Sequence, residues 1–419
     1  MKVRRRAHSL LWMACALAAL TSCAKPAPAP APAARDVGDA TIRVLLSASA
    51  ATPRVASPGG LTFASQDGGS LGRSGRGEVW RIERSGRRLR ASNENGSGTP
   101  WIDGPLFARP MDKAPVSVGG KPYRGDVAFI AGDSTILVVN VVKIDDYLLG
   151  VVPLEIGTEA VSDAAAVQAQ AVAARSYAFI HLSPSRSYDV TASVSDQVYG
   201  GVAVESAVGS DAVESTRTLV LKYGGRVVNA PYHSTCGGKT ASASEIWRSP
   251  DETYLQSVSD QIPGTSRYYC DIAPRFRWTR TLDADALNAA LDRYLASYTR
   301  VPDRTPGAAR AVTVGSRTVS GRVGTLTFTT ERGNFVVRGN DIRFVLRPVG
   351  GEALNSTSFS VEPSTSADGL LARITIRGSG YGHGVGMCQW GAIGRARAGQ
   401  DFRTILRVYY PGTTVGPAS

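Results

Sequence analysis

Beyond its first 22 residues, this 419-residue chain contains no apolar run long enough to cross a membrane, which excludes a spanning helix from the remainder. It also shows no internal repeat, which sets aside a solenoid or a propeller. Two short motifs that would bring nucleotide or hydrolase chemistry are incomplete. Gly237-Gly238-Lys239-Thr240 has the end of a phosphate-binding loop, but the loop's first glycine falls on His233. Gly68-Gly69-Ser70-Leu71-Gly72 has the spacing of a nucleophile elbow, but it lies in a polar Gly/Ser stretch with no strand pattern ahead of it. Cysteine is scarce, with five in all: Cys15, Cys23, Cys236, Cys270 and Cys388.

What is present begins with Lys2-Val3-Arg4-Arg5-Arg6, then a short apolar core from Leu10 to Leu20, then Thr21-Ser22-Cys23. This pattern predicts a secretory signal over residues 1–22. Small residues after a leucine and directly before Cys23 are the mark of a bacterial lipoprotein, in which that cysteine is lipidated. Lipid on Cys23 would anchor the chain to a membrane without a spanning helix. Residues 23–40 are rich in alternating Ala and Pro, a semi-rigid tether with no side chains to build a core. The formal charge is +12, and +8 without residues 1–22. A basic exported surface suits an anionic polymer such as cell wall; the expected location leaves no nucleic-acid partner.

Residues 41–122 alternate short apolar stretches with Gly, Ser and Pro clusters and read as a β-rich region. Ile136-Leu137-Val138-Val139-Asn140-Val141-Val142 reads as a buried strand, followed by a helical turn over Tyr147–Val151 capped by Asp145 or Asp146. The strongest helix spans Asp163–Leu182, with Val167, Ala171, Ala174 and Ala178 as its apolar stripe and Gln170 and Tyr177 beside it. A second helix is predicted over Thr281–Tyr298, within a helical insertion at 261–310. Strands return at Ala311–Val314, Thr325–Thr329 and Phe335–Val337, and Gly399 is placed to close the helix after Cys388. The fold class is α+β: mainly antiparallel strands with a few packed helices.

The densest signal is Gly380-Tyr381-Gly382-His383-Gly384-Val385-Gly386-Met387-Cys388-Gln389-Trp390-Gly391, with glycine at every second position at its start. In a strand this leaves one face as bare backbone, open to a ligand or a second layer. Val151-Val152-Pro153-Leu154-Glu155, Ala169-Gln170 through Arg175-Ser176-Tyr177-Ala178, Asp196-Gln197-Val198-Tyr199-Gly200-Gly201, Tyr232-His233-Ser234-Thr235-Cys236-Gly237-Gly238-Lys239-Thr240 and Tyr409-Tyr410-Pro411-Gly412-Thr413 accompany it in order. Together these segments resemble the stage II sporulation protein D (SpoIID/LytB) family, which contains peptidoglycan lytic transglycosylases and amidase enhancers. The resemblance implies a SpoIID-like catalytic domain over 123–415, peptidoglycan glycan strands as substrate, including strands that have lost their stem peptides, and a cell-wall amidase as the partner in a non-catalytic alternative.

Glu155 follows a proline that fixes the chain and has apolar neighbours, which raise a carboxyl pKa by desolvation, as a general acid requires. Read locally, it is first of all a first-turn glutamate that stabilises a helix N-terminus; the resemblance reverses this and makes it the catalytic residue. One carboxylate suffices if the C6 hydroxyl of muramic acid attacks its own anomeric carbon to give a 1,6-anhydro end, whereas hydrolytic glycosidases commonly use two. Gln170, Arg175, Gln197, Tyr199, His383 and Gln389 fall on matching motif positions as candidate substrate-binding residues, Tyr199 with packing as its simplest role. No cofactor is needed for such a reaction. Cys236 and Cys270 are read first as a disulfide, natural for an exported protein; with His233 they can instead bind a structural zinc, a metal associated with some family members, or they can stay free thiols. Cys388 stands where many family members have serine; it is a reactive thiol, a further ligand or a pairing partner, and with His383 or His233 it supplies a rival Cys/His acyl-transfer site. The expected location is exported and membrane-anchored, facing the cell wall or periplasm. Cys23→Ser should release the protein from the membrane fraction, checked by fractionation and by the N-terminal mass of the wild-type chain; unchanged fractionation with an unmodified wild-type N-terminus contradicts lipidation.

Overall fold

The computed structural model describes Val37 and residues 40–157, 160–367 and 370–418. The signal, Cys23 and nearly all of the tether lie outside these residues. The architecture is α+β. Thr41–Ser49 pairs antiparallel with Ile136–Lys143 and parallel with Val190–Thr191. These strands belong to a seven-stranded sheet continued by Asp126–Ala131, Leu106–Pro110, Leu61–Ala64 and Ser70–Arg73. A six-stranded sheet runs in the order Lys121–Tyr123, Val116–Val118, Arg54–Ala56, Trp80–Ser85, Arg88–Ser92, Ile102–Asp103. Phe63, Phe129 and Val138 of the first sheet and Trp80, Ile82 and Leu89 of the second share one core, with the Phe63 and Trp80 ring centroids 4.8 Å apart. The first sheet takes strands from both sides of residue 122, so the β-rich region and the segment after it are joined through backbone hydrogen bonds.

The helices are α1 (Ile144–Leu149), α2 (Val152–Ile156), α3 (Ala164–Ile180), α4 (Ala207–Ser215), α5 (Ala243–Ile246), α6 (Ala284–Tyr294), α7 (Asp341–Val345), α8 (Gln389–Arg397) and α9 (Phe402–Tyr409). Helix α1 begins ahead of the expected caps, and Asp145 turns its carboxylate to Arg175 instead of to the helix end. Asp163 sits at the N-terminus of α3, held by Arg397 at 2.7 and 2.9 Å. An amphipathic stripe was expected on α3; the helix is instead buried nearly all round, because α1, α2, α4, α8 and α9 pack against it. Its alanines make this enclosure feasible, since a neighbouring helix can approach a bare methyl closely. Gly399, at φ +82°, follows α8 in the left-handed region and ends it.

Between Arg277 and Ser379 the chain builds a second core from Leu282, Leu287, Leu291, Leu326, Phe328, Ile374 and Ile376. The three predicted strands lie within an antiparallel meander, Ala309–Arg317, Val323–Thr330 and Gly333–Arg338. Arg277–Asp283, Leu371–Ser379 and Phe359–Thr365 form another sheet. Thr281–Asp283 therefore belongs to a strand where a helix was predicted, and the side chain of Asp283 accepts a hydrogen bond from the Ala286 N–H to start α6. Of residues 261–310, α6 and two short 3₁₀ turns are helical; the unit with its own core is mixed in structure and extends to Ser379.

Candidate active site and thiol cluster

Pro153 fixes the first turn of α2, and Gly157, at φ +61°, closes the helix after one turn. Glu155 is thereby held half-buried at the helix edge, next to the exposed Leu154. Its Oε1 accepts a hydrogen bond from the Val198 N–H at 2.8 Å, and Gln389 at the start of α8 also hydrogen-bonds its carboxylate. Gln389 Nε2 donates to Gln170 Oε1 on α3 at 3.3 Å. Burial pushes the Glu155 pKa above its ordinary 4.5, with Val198 and Gln389 opposing. The bonded donors stabilise the carboxylate, but the loss of water dominates.

Three tyrosines feel the charge of Glu155. Burial first, and that charge next among other contributions, hold the Tyr147 and Tyr232 phenols well above their ordinary range; Tyr177 is raised too, mainly by burial and Asp196. Tyr147 Oη donates to Gln197 Oε1 at 3.2 Å, and Gln197 Nε2 donates to Tyr232 Oη at 2.8 Å and to the Ala174 carbonyl at 3.3 Å. Tyr177 Oη donates to Asp196 Oδ1 at 3.1 Å. Glu155, Gln389, Gln170, Gln197 and the tyrosines thus form one polar group drawn from α3, from α1, α2 and α8 packed on it, from the loop that holds Gln197 and from the Tyr232–His233 strand. Tyr147 and Tyr232 were not singled out from the sequence. Tyr232 stands within the Tyr-His-Ser-Thr-Cys segment, which could have flagged it; Tyr147 carried no such signal.

Arg175 and Tyr199 are placed otherwise. Arg175 is fully enclosed, its Nε donating to Asp145 Oδ1 at 2.7 Å, Nη1 to the Thr216 and Leu219 carbonyls at 2.8 and 3.1 Å, and Nη2 to the Val213 carbonyl at 3.1 Å. Such a guanidinium ties α1, α3 and α4 together. Tyr199 Oη donates to Asn140 Oδ1 at 2.8 Å, and its ring packs on Tyr147 and Tyr123.

The alternating glycines meet a second protein layer. Gly380, Gly382, Gly384 and Gly386 all have positive φ. A Cβ on Gly386 would overlap the Pro231 carbonyl, and one on Gly382 would lie 2.8 Å from the His233 Cβ. Met387–Cys388 then pairs parallel with Tyr232–His233. His383 Nε2 donates to the Tyr232 carbonyl at 2.8 Å and Nδ1 accepts from the Val385 N–H at 3.1 Å, so both nitrogens face backbone. His233 Nδ1 donates to the Val385 carbonyl at 3.1 Å. Burial, followed by the charge of Arg322, lowers the His233 pKa to about 3, and burial, followed by His233, holds His383 well below its ordinary value. Both imidazoles are neutral.

Cys236 and Cys270 are brought together with Sγ atoms 3.5 Å apart, as free thiols, and Cys388 joins them. With Asp260 they form a buried group whose potential ligand atoms all lie within 4.8 Å of one another; neither histidine belongs to it. Cys388 Sγ accepts N–H bonds from Cys236 at 3.1 Å and Gly391 at 3.3 Å. Burial disfavours its thiolate, but hydrogen bonding with Cys236 and Cys270 outweighs burial and brings its pKa to about 5. Asp260 is raised to about 8 by burial and by Cys270, against Tyr409 and Arg395. Asp260 was not anticipated, because nothing in its local sequence distinguishes it. A groove of about 1010 Å³, lined in part by Trp247, Arg248, Tyr298 and Arg338, lies apart from both groups.

A family model described as stage II sporulation protein matches residues 132–223. An uncharacterized protein of Brachyspira hyodysenteriae is 31% identical over 304 residues, covering 71% of this chain and 73% of its own length. The amidase enhancer of Bacillus subtilis is 30% identical, covering 83% of this chain and 50% of its own length, and the stage II sporulation protein D of the same organism is 27% identical, covering 75% and 84%. The chain belongs to the stage II sporulation protein D family. The family segment contains Glu155, Gln170, Arg175, Gln197 and Tyr199. A second model, a domain of unknown function, covers residues 266–386, which include Cys270 and the region of the second core.

Arg175→Met should cost about 3–5 kcal/mol in urea unfolding, toward the lower end because Arg217 remains 3.5 Å from Asp145. Glu155→Gln should have the opposite effect on stability. The folded chain holds the Glu155 proton more tightly than the unfolded chain does, so that contribution is fully present below the unfolded value and is lost as pH rises through the folded one. The variant should therefore unfold at higher urea than the wild type at pH 7, with the difference closing below about pH 4.

Proposed function

We propose that this chain is an exported lipoprotein, anchored through Cys23 and facing the cell wall or periplasm, that binds peptidoglycan glycan strands and cleaves them by lytic transglycosylation. The observation that carries this reading is the state of Glu155: a half-buried carboxyl with a raised pKa, on which no other carboxylate among the described residues acts. Protonated, it donates to the glycosidic oxygen as the bond to C1 breaks and the leaving sugar departs with that proton. The resulting carboxylate takes the proton of the muramic C6 hydroxyl as its oxygen attacks C1. The ring closes to the 1,6-anhydro sugar, no water is consumed, and Glu155 is returned protonated. The Gln389 and Val198 donors hold the carboxylate in place between the two steps. The basic composition suits an anionic wall polymer.

A second reading, a non-catalytic wall-binding protein that stimulates a separate amidase, is favoured by the relative named amidase enhancer, of which this chain spans half. Incubating the protein with glycan strands, with and without stem peptides, separates the two by mass spectrometry of the ends formed. Anhydro-muramic ends should appear, and Glu155→Gln should reduce their rate by at least about 10²–10⁴-fold with glycan binding retained. Reducing ends would indicate hydrolysis and a second carboxylate. No cleavage together with stimulation of an added amidase would establish the second reading, and an active Glu155→Gln would remove Glu155 from its role.

A further inference from the structure

The buried thiol cluster is used by neither reading of the glycan site, and its geometry is that of a single-ion centre. A tetrahedral zinc with Zn–S bonds of about 2.3 Å separates its sulfurs by about 3.8 Å, and a sulfur from a carboxylate oxygen by about 3.5 Å. Cys236 and Cys270 Sγ are 3.5 Å apart, and Cys236 Sγ lies 3.8 Å from Asp260 Oδ2. All four residues are buried. A disulfide would join two of the three sulfurs and strand the third beside it.

The surroundings also fit a metal. Asp260 turns Oδ2 toward the sulfurs, while Oδ1 accepts from Tyr409 Oη at 2.7 Å and from Arg395 Nη2 and Nε at 3.1 and 3.3 Å. Fixing the far oxygen in this way orients a ligating carboxylate. Two backbone N–H groups, from Cys236 and Gly391, point at Cys388 Sγ at the start of the nine-residue α8, a setting that stabilises a thiolate. Gly391 is required there, since a Cβ would overlap the Tyr409 hydroxyl and Asp260. Arg395 offsets part of the negative charge that three thiolates and a carboxylate would bring.

We propose that Cys236, Cys270 and Cys388, as thiolates, hold one zinc ion with Asp260 Oδ2 as the fourth ligand. Three thiol protons, and that of Asp260 where it is protonated, leave as the ion binds. Four protein ligands close the coordination sphere, so the ion is structural. It cross-links the end of the Tyr232–His233 strand, the loop carrying Asp260 and Cys270, and the N-terminus of α8. Cys388 directly precedes Gln389, so the same ion fixes the residue that bonds Glu155.

The test is elemental analysis of the full-length chain purified without chelator, combined with peptide-level alkylation that distinguishes these cysteines from Cys15 and Cys23. About one zinc per chain is expected. The three thiols should resist alkylation until the metal is stripped under denaturing conditions, then react fully. Cobalt exchange should give thiolate charge-transfer bands, and Cys270→Ser should lose the stoichiometric zinc. Tyr409→Phe, which keeps the ring and removes the bond to Asp260, should weaken zinc binding about 10–100-fold in competition with a chelator. A metal-free chain with a Cys236–Cys270 disulfide peptide, or with three free thiols, overturns the proposal. So does stoichiometric copper or iron in place of zinc, or full zinc affinity in Tyr409→Phe together with Cys270→Ser.

Discussion

A helix enclosed on nearly every side must satisfy its polar side chains from its neighbours, and α3 imposes that constraint on the whole lobe that carries Glu155. Its alanines let five helices come close, and most of the polar groups it carries are answered. Arg175 is met by Asp145 and three carbonyls, and Ser176 Oγ by the Leu221 N–H; Gln170 Oε1 accepts from Gln389, while its Nε2 is buried with no partner among the described residues. Because α2 carries Glu155 and α8 carries Gln389, the relative position of acid and partner is set by how each packs on α3. The Glu155 geometry is therefore a by-product of small side chains a full helix away.

This arrangement also explains which parts of the molecule were legible beforehand. Local patterns are strong where propensity and packing agree: the β-branched run ending at Val142, the alanine-rich α3, and the glycine after α8 all sit where their sequences place them. The desolvated setting of Glu155 was readable because a proline, a carboxylate and apolar neighbours occur together in five residues. Arg175 misled, because an arginine on a shared motif looks the same whether it faces a sugar or a buried aspartate. The difference is made by Val213, Thr216 and Leu219, whose carbonyls reach it from α4 and the segment after it. The strand at Arg277–Asp283 was hidden for another reason: its pairing partner lies almost a hundred residues later, and the helix pattern of α6 begins at its last residue.

The glycine-rich run carries a similar lesson. Alternation at period two suggested an extended strand with an open face, but four successive glycines with positive φ cannot be such a strand. They let residues 380–386 lie in contact with 231–236, which seats Met387–Cys388 beside Tyr232–His233. His383 then serves the backbone of Tyr232, and Tyr232 reaches through Gln197 to Tyr147. A run that looked like a binding surface is instead the joint between the acid's surroundings and the thiol cluster.

The second core has a narrow neck. Arg277 pairs with Ser379 across one antiparallel ladder, so the hundred-residue excursion leaves and re-enters at adjacent strands, about 5 Å apart. Trp278 Nε1 donates to the Gly380 carbonyl at 2.8 Å and pins the exit. A module joined this way adds no span for its host chain to bridge, so its length can change without stretching the lobe beneath, provided that Arg322 stays where it donates to the Cys236 carbonyl at 2.9 Å.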